Sequence, residues 1–260
     1  MFTIILIILS ITLVSVYLLY RYLNKNIYTT VDHFNKILDS NCDDPSVLDP
    51  NTFSWSQDFR DNWKEIREEF LNYRDNIPLH VQVNNLTGWC DIDNKWKTLF
   101  LRAFCRDTDL SDNFPKTMDL INKCPCTLAY FSILEPGAKL APHIGIYKGV
   151  IRYHLGLIIP KDRENCFLKV DNKTLHWQEG SDLMFDDMYL HHAENNTAES
   201  RIILFLDIKR EFSNPIINIL NTLMLRFIRS NDAVTDTISN INKFSSNTHS
   251  QNDLHRKSYQ

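Results

Sequence analysis

Five histidines crowd the middle of the chain: His143, His154, His176, His191 and His192. A neutral imidazole offers a nitrogen lone pair near physiological pH, which makes histidine the commonest metal ligand. His143 stands in Ala141-Pro-His-Ile-Gly145, after a turn and before a strand pattern. His191 closes Asp186-Asp-Met-Tyr-Leu-His191, just ahead of the last strand pattern. Two strand-edge histidines this far apart in sequence can converge in a jelly roll. Non-haem iron sites usually hold two histidines and a carboxylate on one octahedral face. The common sequence form is His-x-Asp and a distant His, followed by an arginine for a cosubstrate carboxylate. Here the carboxylate position is Gly145. On the residues alone, a pair of structural histidines stays open as the alternative.

The arginines point the same way as the histidines. Arg152 and His154 alternate with Ile151, Tyr153, Leu155, Leu157 and Ile159. They therefore share the other side of that strand, because successive side chains of a strand face opposite ways. A charge placed there needs a partner. Arg201 opens the apolar run Ile202-Ile-Leu-Phe-Leu206. Its planar fork suits a carboxylate through two parallel charge-assisted bonds. A structural ion pair with Asp186 or Asp187 is the alternative.

The elements that must position these residues are mostly strands. Thr127–Leu134 ends in the turn Glu135-Pro-Gly137, and Pro160 ends the alternating run that starts at Val150. Cys166–Val170, Lys173–Trp177, Asp182–Phe185 and Arg201–Ile208 read as further short strands. Many short strands with turn signals predict a mainly β fold of jelly-roll kind with flanking helices. Trp55–Tyr73 reads as one packing helix, since Phe59, Trp63, Ile66 and Phe70 recur at helical spacing. Asn214-Pro215 starts another helix, with Asn218, Asn221, Thr222, Arg226 and Arg229 as its polar stripe. That helix either covers the sheet or lies on a membrane.

The ends look like appendages. Phe2–Tyr20 carries no charge and is long enough to span a bilayer's hydrocarbon core, so residues 1–20 are expected to be a single-pass transmembrane anchor. Bulky residues close the run, which disfavours a cleaved signal peptide. Residues 21–53 read as a polar stalk, 54–212 as the main globular domain, 213–230 as an amphipathic helix and 231–260 as a disordered tail. Arg21 and Lys25 after the anchor favour a cytoplasmic body. The sequons at Asn85, Asn172 and Asn195 favour the opposite side, and the orientation stays open. A hydrophobic fraction of 43% excludes a wholly disordered chain. A net charge of −4 without a basic patch argues against a nucleic-acid partner. The six cysteines contain only one close pair, Cys124-Pro-Cys126, which is neither zinc spacing nor a disulfide framework, so free thiols are expected.

Taken together, Tyr130-Phe-Ser-Ile-Leu-Glu-Pro-Gly137, Pro142-His-Ile-Gly145, Arg152-Tyr-His-Leu-Gly-Leu-Ile-Ile-Pro160, Trp177-Gln-Glu-Gly-Ser-Asp-Leu-Met-Phe-Asp-Asp187 and Arg201-Ile-Ile-Leu-Phe-Leu-Asp207 resemble the aspartyl/asparaginyl β-hydroxylase family in order and spacing. The resemblance covers residues 54 to 212 and includes the helix around Asn62–Glu69. It implies a double-stranded β-helix of cupin-like form and a dioxygenase using iron(II), 2-oxoglutarate and O2. His143 and His191 match the metal histidines, and glycine at 145 agrees with the family. Arg201, ten residues after His191, matches the arginine for the far carboxylate of 2-oxoglutarate. Ser132, Arg152 and His154 match cosubstrate-contacting positions, and Trp96 matches a tryptophan of the same pocket. The implied substrate is the side chain of Asp or Asn in a protein. Alternatives are a lipid acyl chain under the same chemistry, or a non-catalytic binding module.

Overall fold

The computed structural model describes residues 2–74, 90–232 and 234–243; of residues 2–4 and 6–9 only the helical backbone is described. The alternating strand Val150–Ile158 (β5) organises the architecture. Ile151, Tyr153, Leu155 and Leu157 face one core, with Phe59, Ile66, Phe70 and Ile121 supplied by the helices that cover that side. Arg152 and His154 face the other way, as the alternation predicts.

β5 lies inside a seven-stranded antiparallel sheet. Its order is Val47–Leu48 (β1), Asp182–Phe185 (β8), β5, Arg201–Lys209 (β10), Cys126–Leu134 (β4), Trp96–Ala103 (β2) and Arg106–Asp107 (β3). A second sheet joins Lys173–His176 (β7), Cys166–Val170 (β6) and His191–Asn195 (β9). A second core gathers side chains from both sheets, among them Phe100, Tyr130, Leu168, Val170, Trp177, Phe185, Ile203 and Phe205. The fold is thus mainly β with flanking helices, as expected. Gly137 adopts φ +74° in its turn, a conformation that favours glycine.

Sequence reading missed β2 and β9. β2 buries Leu99, Phe100 and Leu101 on both faces, so no alternation betrays it. β9 reads His-His-Ala-Glu-Asn and is polar but for Ala193. The helix expected over Trp55–Tyr73 is two, α3 (Ser56–Asp61) and α4 (Trp63–Tyr73). They part at Asn62, whose Nδ2 donates back to Asp58 O at 2.7 Å and competes with the helix.

Two end segments differ from expectation. Residues 21–53 are no polar stalk. Ile27–Asp39 forms a helix (α2) that buries Val31 and Leu38 against Phe212, Ile217 and Met224, and β1 pairs with β8. Only one narrow apolar stripe of α2 is needed for this, so its composition stays polar. The tail is not disordered from 231. Residues 234–243 are helical, and Val234, Ile238 and Ile241 join the core between the sheets. Residues 244–260 lie outside the described residues.

A fifth helix spans Pro115–Ile121 (α5), and the helix after β10, Pro215–Arg229 (α6), is capped by Asn214, which accepts from Ile216 N at 2.9 Å. It buries Ile217, Asn221 and Met224. Asn221, read from sequence as part of a polar stripe, is fully buried and donates to Gly149 O and Arg210 O. The N-terminal helix Phe2–Lys25 (α1) leaves residues 10–22 exposed. Among the described residues, no helix is long and apolar enough to cross a membrane.

All six cysteines are free, and four are buried. Of the sequons, Asn195 is buried with its Nδ2 bound to the carbonyls of Leu134, Glu135 and Glu199, which excludes a glycan there. Asn172 is exposed, and Asn85 lies outside the described residues.

Candidate active site

The first requirement, that residues 143 and 191 meet, is fulfilled by the backbone. His143 N donates to His191 O at 2.9 Å and His191 N donates to His143 O at 2.8 Å. This two-residue bridge brings the segment after the Glu135–Gly137 turn beside the start of β9. The ring centroids are 4.1 Å apart. His143 Nδ1 lies 2.7 Å from Ala141 O, and His191 Nδ1 lies 2.9 Å from Tyr189 O. A carbonyl only accepts, so both Nδ1 atoms carry the proton and both Nε2 atoms carry the lone pair. Burial pushes His191 down to about 3, helped by Arg152 and His143, and burial also lowers His143. Two neutral imidazoles with Nε2 lone pairs side by side are metal-ligand chemistry. Among the described residues, no cluster of three His, Cys, Asp or Glu could hold a metal.

The position of the missing carboxylate has a structural explanation. A side chain on Gly145 would overlap the carboxylate of Asp187. Asp187 is buried and pairs with Arg152, whose Nη2 lies 2.9 Å from Oδ2. Arg152 also approaches Asp207 Oδ1 at 3.5 Å through Nε, and its Nη1 makes a long contact of 3.4 Å with His191 Nε2. Burial works against the Arg152 charge, yet Asp187 and Asp207 outweigh it and raise its pKa. Burial raises Asp187, and it raises Asp207 to about 7, both against the pull of Arg152.

The same sheet face continues away from the metal end. Phe205 stands opposite His154, and Ile203 opposite Ser132. His154 is buried and accepts from Trp177 Nε1 on its Nδ1 at 3.3 Å, which leaves the proton on Nε2. That N–H has no partner among the described residues. Burial, Arg201 and Arg152 together keep His154 neutral.

Arg201 lies further along this face. It is 2% exposed, and no carboxylate among the described residues pairs with it. Its Nη1 donates to Ser132 O at 3.2 Å and to Ser132 Oγ at 3.1 Å, and its guanidinium lies 4.5 Å from the Trp177 ring. Nε has no partner among the described residues. Burial lowers its pKa to about 10. Trp96 Nε1 donates to the same Ser132 Oγ at 2.8 Å. Ser132 Oγ thus accepts twice, and its own proton is left to donate.

The sequence-predicted residues therefore fall on one surface. His143, His191 and Arg152 share one end, His154 lies between, and Ser132, Trp96 and Arg201 share the other. The expected alternative for Arg201, an ion pair with Asp186 or Asp187, is not formed. Asp186 goes to Arg210 at 2.9 Å and Lys148 at 2.8 Å, and Asp187 goes to Arg152. Sequence reasoning missed Asp207 and Trp177 as parts of the site, and saw Asp187 only as a partner for Arg201. Asp207 had a signal: it is an acid in the apolar strand β10, in register with Arg152.

A mainly β fold brings two imidazoles together and buries a guanidinium that no carboxylate among the described residues pairs with. The chain belongs to the aspartyl/asparaginyl β-hydroxylase family, whose model, described as Aspartyl/Asparaginyl beta-hydroxylase, matches residues 60–211. It is 37% identical over 176 residues to the ornithine lipid ester-linked acyl 2-hydroxylase of Rhizobium tropici, covering 66% of this chain and 63% of that protein. It is 32% identical over 158 residues to human aspartyl/asparaginyl beta-hydroxylase, covering 56% of this chain and 20% of that protein. The chain thus spans less than two thirds of the length of either relative. A viral collagen prolyl hydroxylase from Paramecium Bursaria Chlorella virus-1, solved with 2OG, aligns with a TM-score of 0.33 at 13% identity over 45% of this chain and 79% of that one; so slight a likeness adds nothing to the assignment.

Proposed function

We propose that this chain is an iron(II)- and 2-oxoglutarate-dependent hydroxylase whose substrate is a lipid acyl chain. The observation that carries the chemistry is Arg201, a buried guanidinium with no carboxylate among the described residues, on the sheet face of Arg152, which in turn touches His191, one of two imidazoles whose Nε2 atoms carry lone pairs. Burying an unpaired charge is costly, and a dicarboxylic cosubstrate supplies the missing partner. His143 and His191 would hold the metal. Arg201 and the Ser132 hydroxyl would grip the far carboxylate, with Trp96 orienting that hydroxyl. The buried Nε2–H of His154, without a partner among the described residues, offers a further donor. When bound, iron with 2-oxoglutarate and O2 supplies hydroxylation of an unactivated carbon, with release of succinate and carbon dioxide. The protein's part is to orient the reactants and exclude water.

The acyl substrate is supported by what flanks the metal histidines. Ile144, Ile146 and Leu190 are exposed at 51%, 50% and 58%, beside His143 and His191 in sequence. Exposed apolar side chains at a site mouth suit an alkyl chain. An acidic side chain as substrate would want a cation, and Arg152 is already committed to Asp187 and Asp207. The relative from Rhizobium tropici agrees with the lipid reading. A protein Asp or Asn side chain is the second reading, and the human relative favours it. We place α1 in a membrane, where such a lipid would be found; the exposed apolar residues 11–19 motivate this.

The test is succinate release by the purified chain with iron(II) and 2-oxoglutarate, together with mass spectrometry of lipids from expressing cells. A lipid species heavier by one oxygen, absent with His143→Ala, is expected. Oxygen added to Asp or Asn of a peptide and to no lipid would select the second reading. Absence of succinate with every substrate would leave a non-catalytic binding module.

A further inference from the structure

α6 has two apolar faces, and only one is used inside the protein. At about 100° per residue, Ile216, Ile219 and Leu223 lie within roughly 60° of one another. They sit roughly 130° around the helix from Ile217, Asn221 and Met224, which are buried. Ile216, Ile219 and Leu223 are 66%, 60% and 51% exposed. The helix carries no acidic residue, and its exposed Arg226 and Arg229 stand at its C-terminal end. That end meets the end of α1. Tyr20 and Phe227 are in edge contact at 5.8 Å, and Asn231 Nδ2 donates to Asn24 O at 2.9 Å. Arg21 and Lys25 of α1 are exposed near this junction.

We propose that α6 lies on a lipid bilayer, with Ile216, Ile219 and Leu223 in the interfacial layer and its arginines toward anionic headgroups. An amphipathic helix with an unpartnered apolar stripe and basic residues is the kind that binds in the membrane interface. The occupant is a bilayer because the stripe belongs to a helix that ends against α1, where Ile11, Leu13, Val14, Val16, Leu18 and Leu19 are exposed. The contact has a consequence for the site. Tyr147 donates to Asn221 of α6 at 2.6 Å, and Asn35 of α2 binds Ile146 O and Lys148 N. The His143–Gly149 loop is therefore braced on α6 and α2, at a fixed distance from the proposed surface. The proposal takes its location from the membrane reading of α1, and the test separates the two.

The full chain is reconstituted with vesicles of phosphatidylcholine and phosphatidylglycerol that carry brominated acyl chains. Added tryptophans report depth by quenching relative to the unmodified chain: Ile219→Trp and Leu223→Trp on α6, Val14→Trp on α1, and Glu164→Trp as an exposed control. Circular dichroism melting confirms that each variant is folded. Strong quenching at 219 and 223, greatest with bromine at shallow positions, is expected, because such a helix buries only about 5–10 Å deep. Quenching at 14 without more at 219 and 223 than at 164 overturns the proposal and leaves the anchor standing. Quenching at 219 and 223 but not at 14 supports it and overturns the anchor. No quenching at any of the three overturns both, and protection of 219 and 223 by dimerisation assigns the stripe to a second copy.

Discussion

Arg152 and Arg201 project from neighbouring strands onto one face of one sheet, and they are in opposite electrostatic states. Arg152 is held by two carboxylates, Asp187 and Asp207, and its charge is reinforced. Arg201 is buried more deeply, donates to Ser132, lies against the Trp177 ring, and is pulled down to about 10 by burial. The first is a structural cation that holds two acids in place. The second, in the function proposed above, is a cation kept for a ligand. Residue type alone does not separate a strut from a binding group; the count of buried counter-charges does.

Removing the guanidinium at each position sharpens this contrast. Arg152→Gln strands two buried acids and is expected to cost about 3–5 kcal/mol of folding stability, read by urea denaturation. Stability equal to the parent would break the comparison. Arg201→Gln strands no carboxylate, so its stability stays near the parent's. Its loss is in 2-oxoglutarate affinity, expected to be about 100-fold by calorimetry, since truncating one partner of a buried charge pair costs about 2–5 kcal/mol. Unchanged cosubstrate affinity would remove Arg201 from the site.

A smaller effect is expected at Gly145. Gly145→Ala pushes on the Asp187 carboxylate and is expected to cost about 1–3 kcal/mol, as overpacking does. In the Arg152→Gln background the acid can swing away, and the cost should shrink; equal costs in both backgrounds would deny the coupling. An effect that vanishes at neutral pH, and is the smallest there, concerns protons. His191 is held near 3 in the folded chain, well below the ordinary histidine value of about 6.5. The unfolded chain binds that proton first, so the metal-free protein loses stability as pH falls through 6.5 toward 3. His191→Gln should flatten that slope, measured by thermal melts across pH, and an unaltered slope would put the buried neutral imidazole in doubt.

Much of the site was legible in the sequence because strands have a period of two. The alternation in Val150–Ile158 placed Arg152 and His154 together on the face opposite the apolar core, and the structure keeps them there. The family pattern picked His143 and His191 out of five histidines, and their backbones bridge. Harder to read were segments whose role depends on a narrow stripe. Val31 and Leu38 in α2, and Val234, Ile238 and Ile241 further on, are few enough that composition calls both segments polar. β2 was hidden for the opposite reason, being buried on both faces.

Sequence by itself determined which residues share a face, which carry ionisable groups, and which turn needs glycine, because these follow from local backbone geometry and side-chain chemistry. Tertiary structure alone decided which acid meets which arginine. Asp186 and Asp187 are neighbours in the chain, yet one binds Arg210 and Lys148 and the other binds Arg152, leaving Arg201 without either. The physical reason is that ion pairing falls off over a few ångströms, and those distances are set by strands brought together from across the chain.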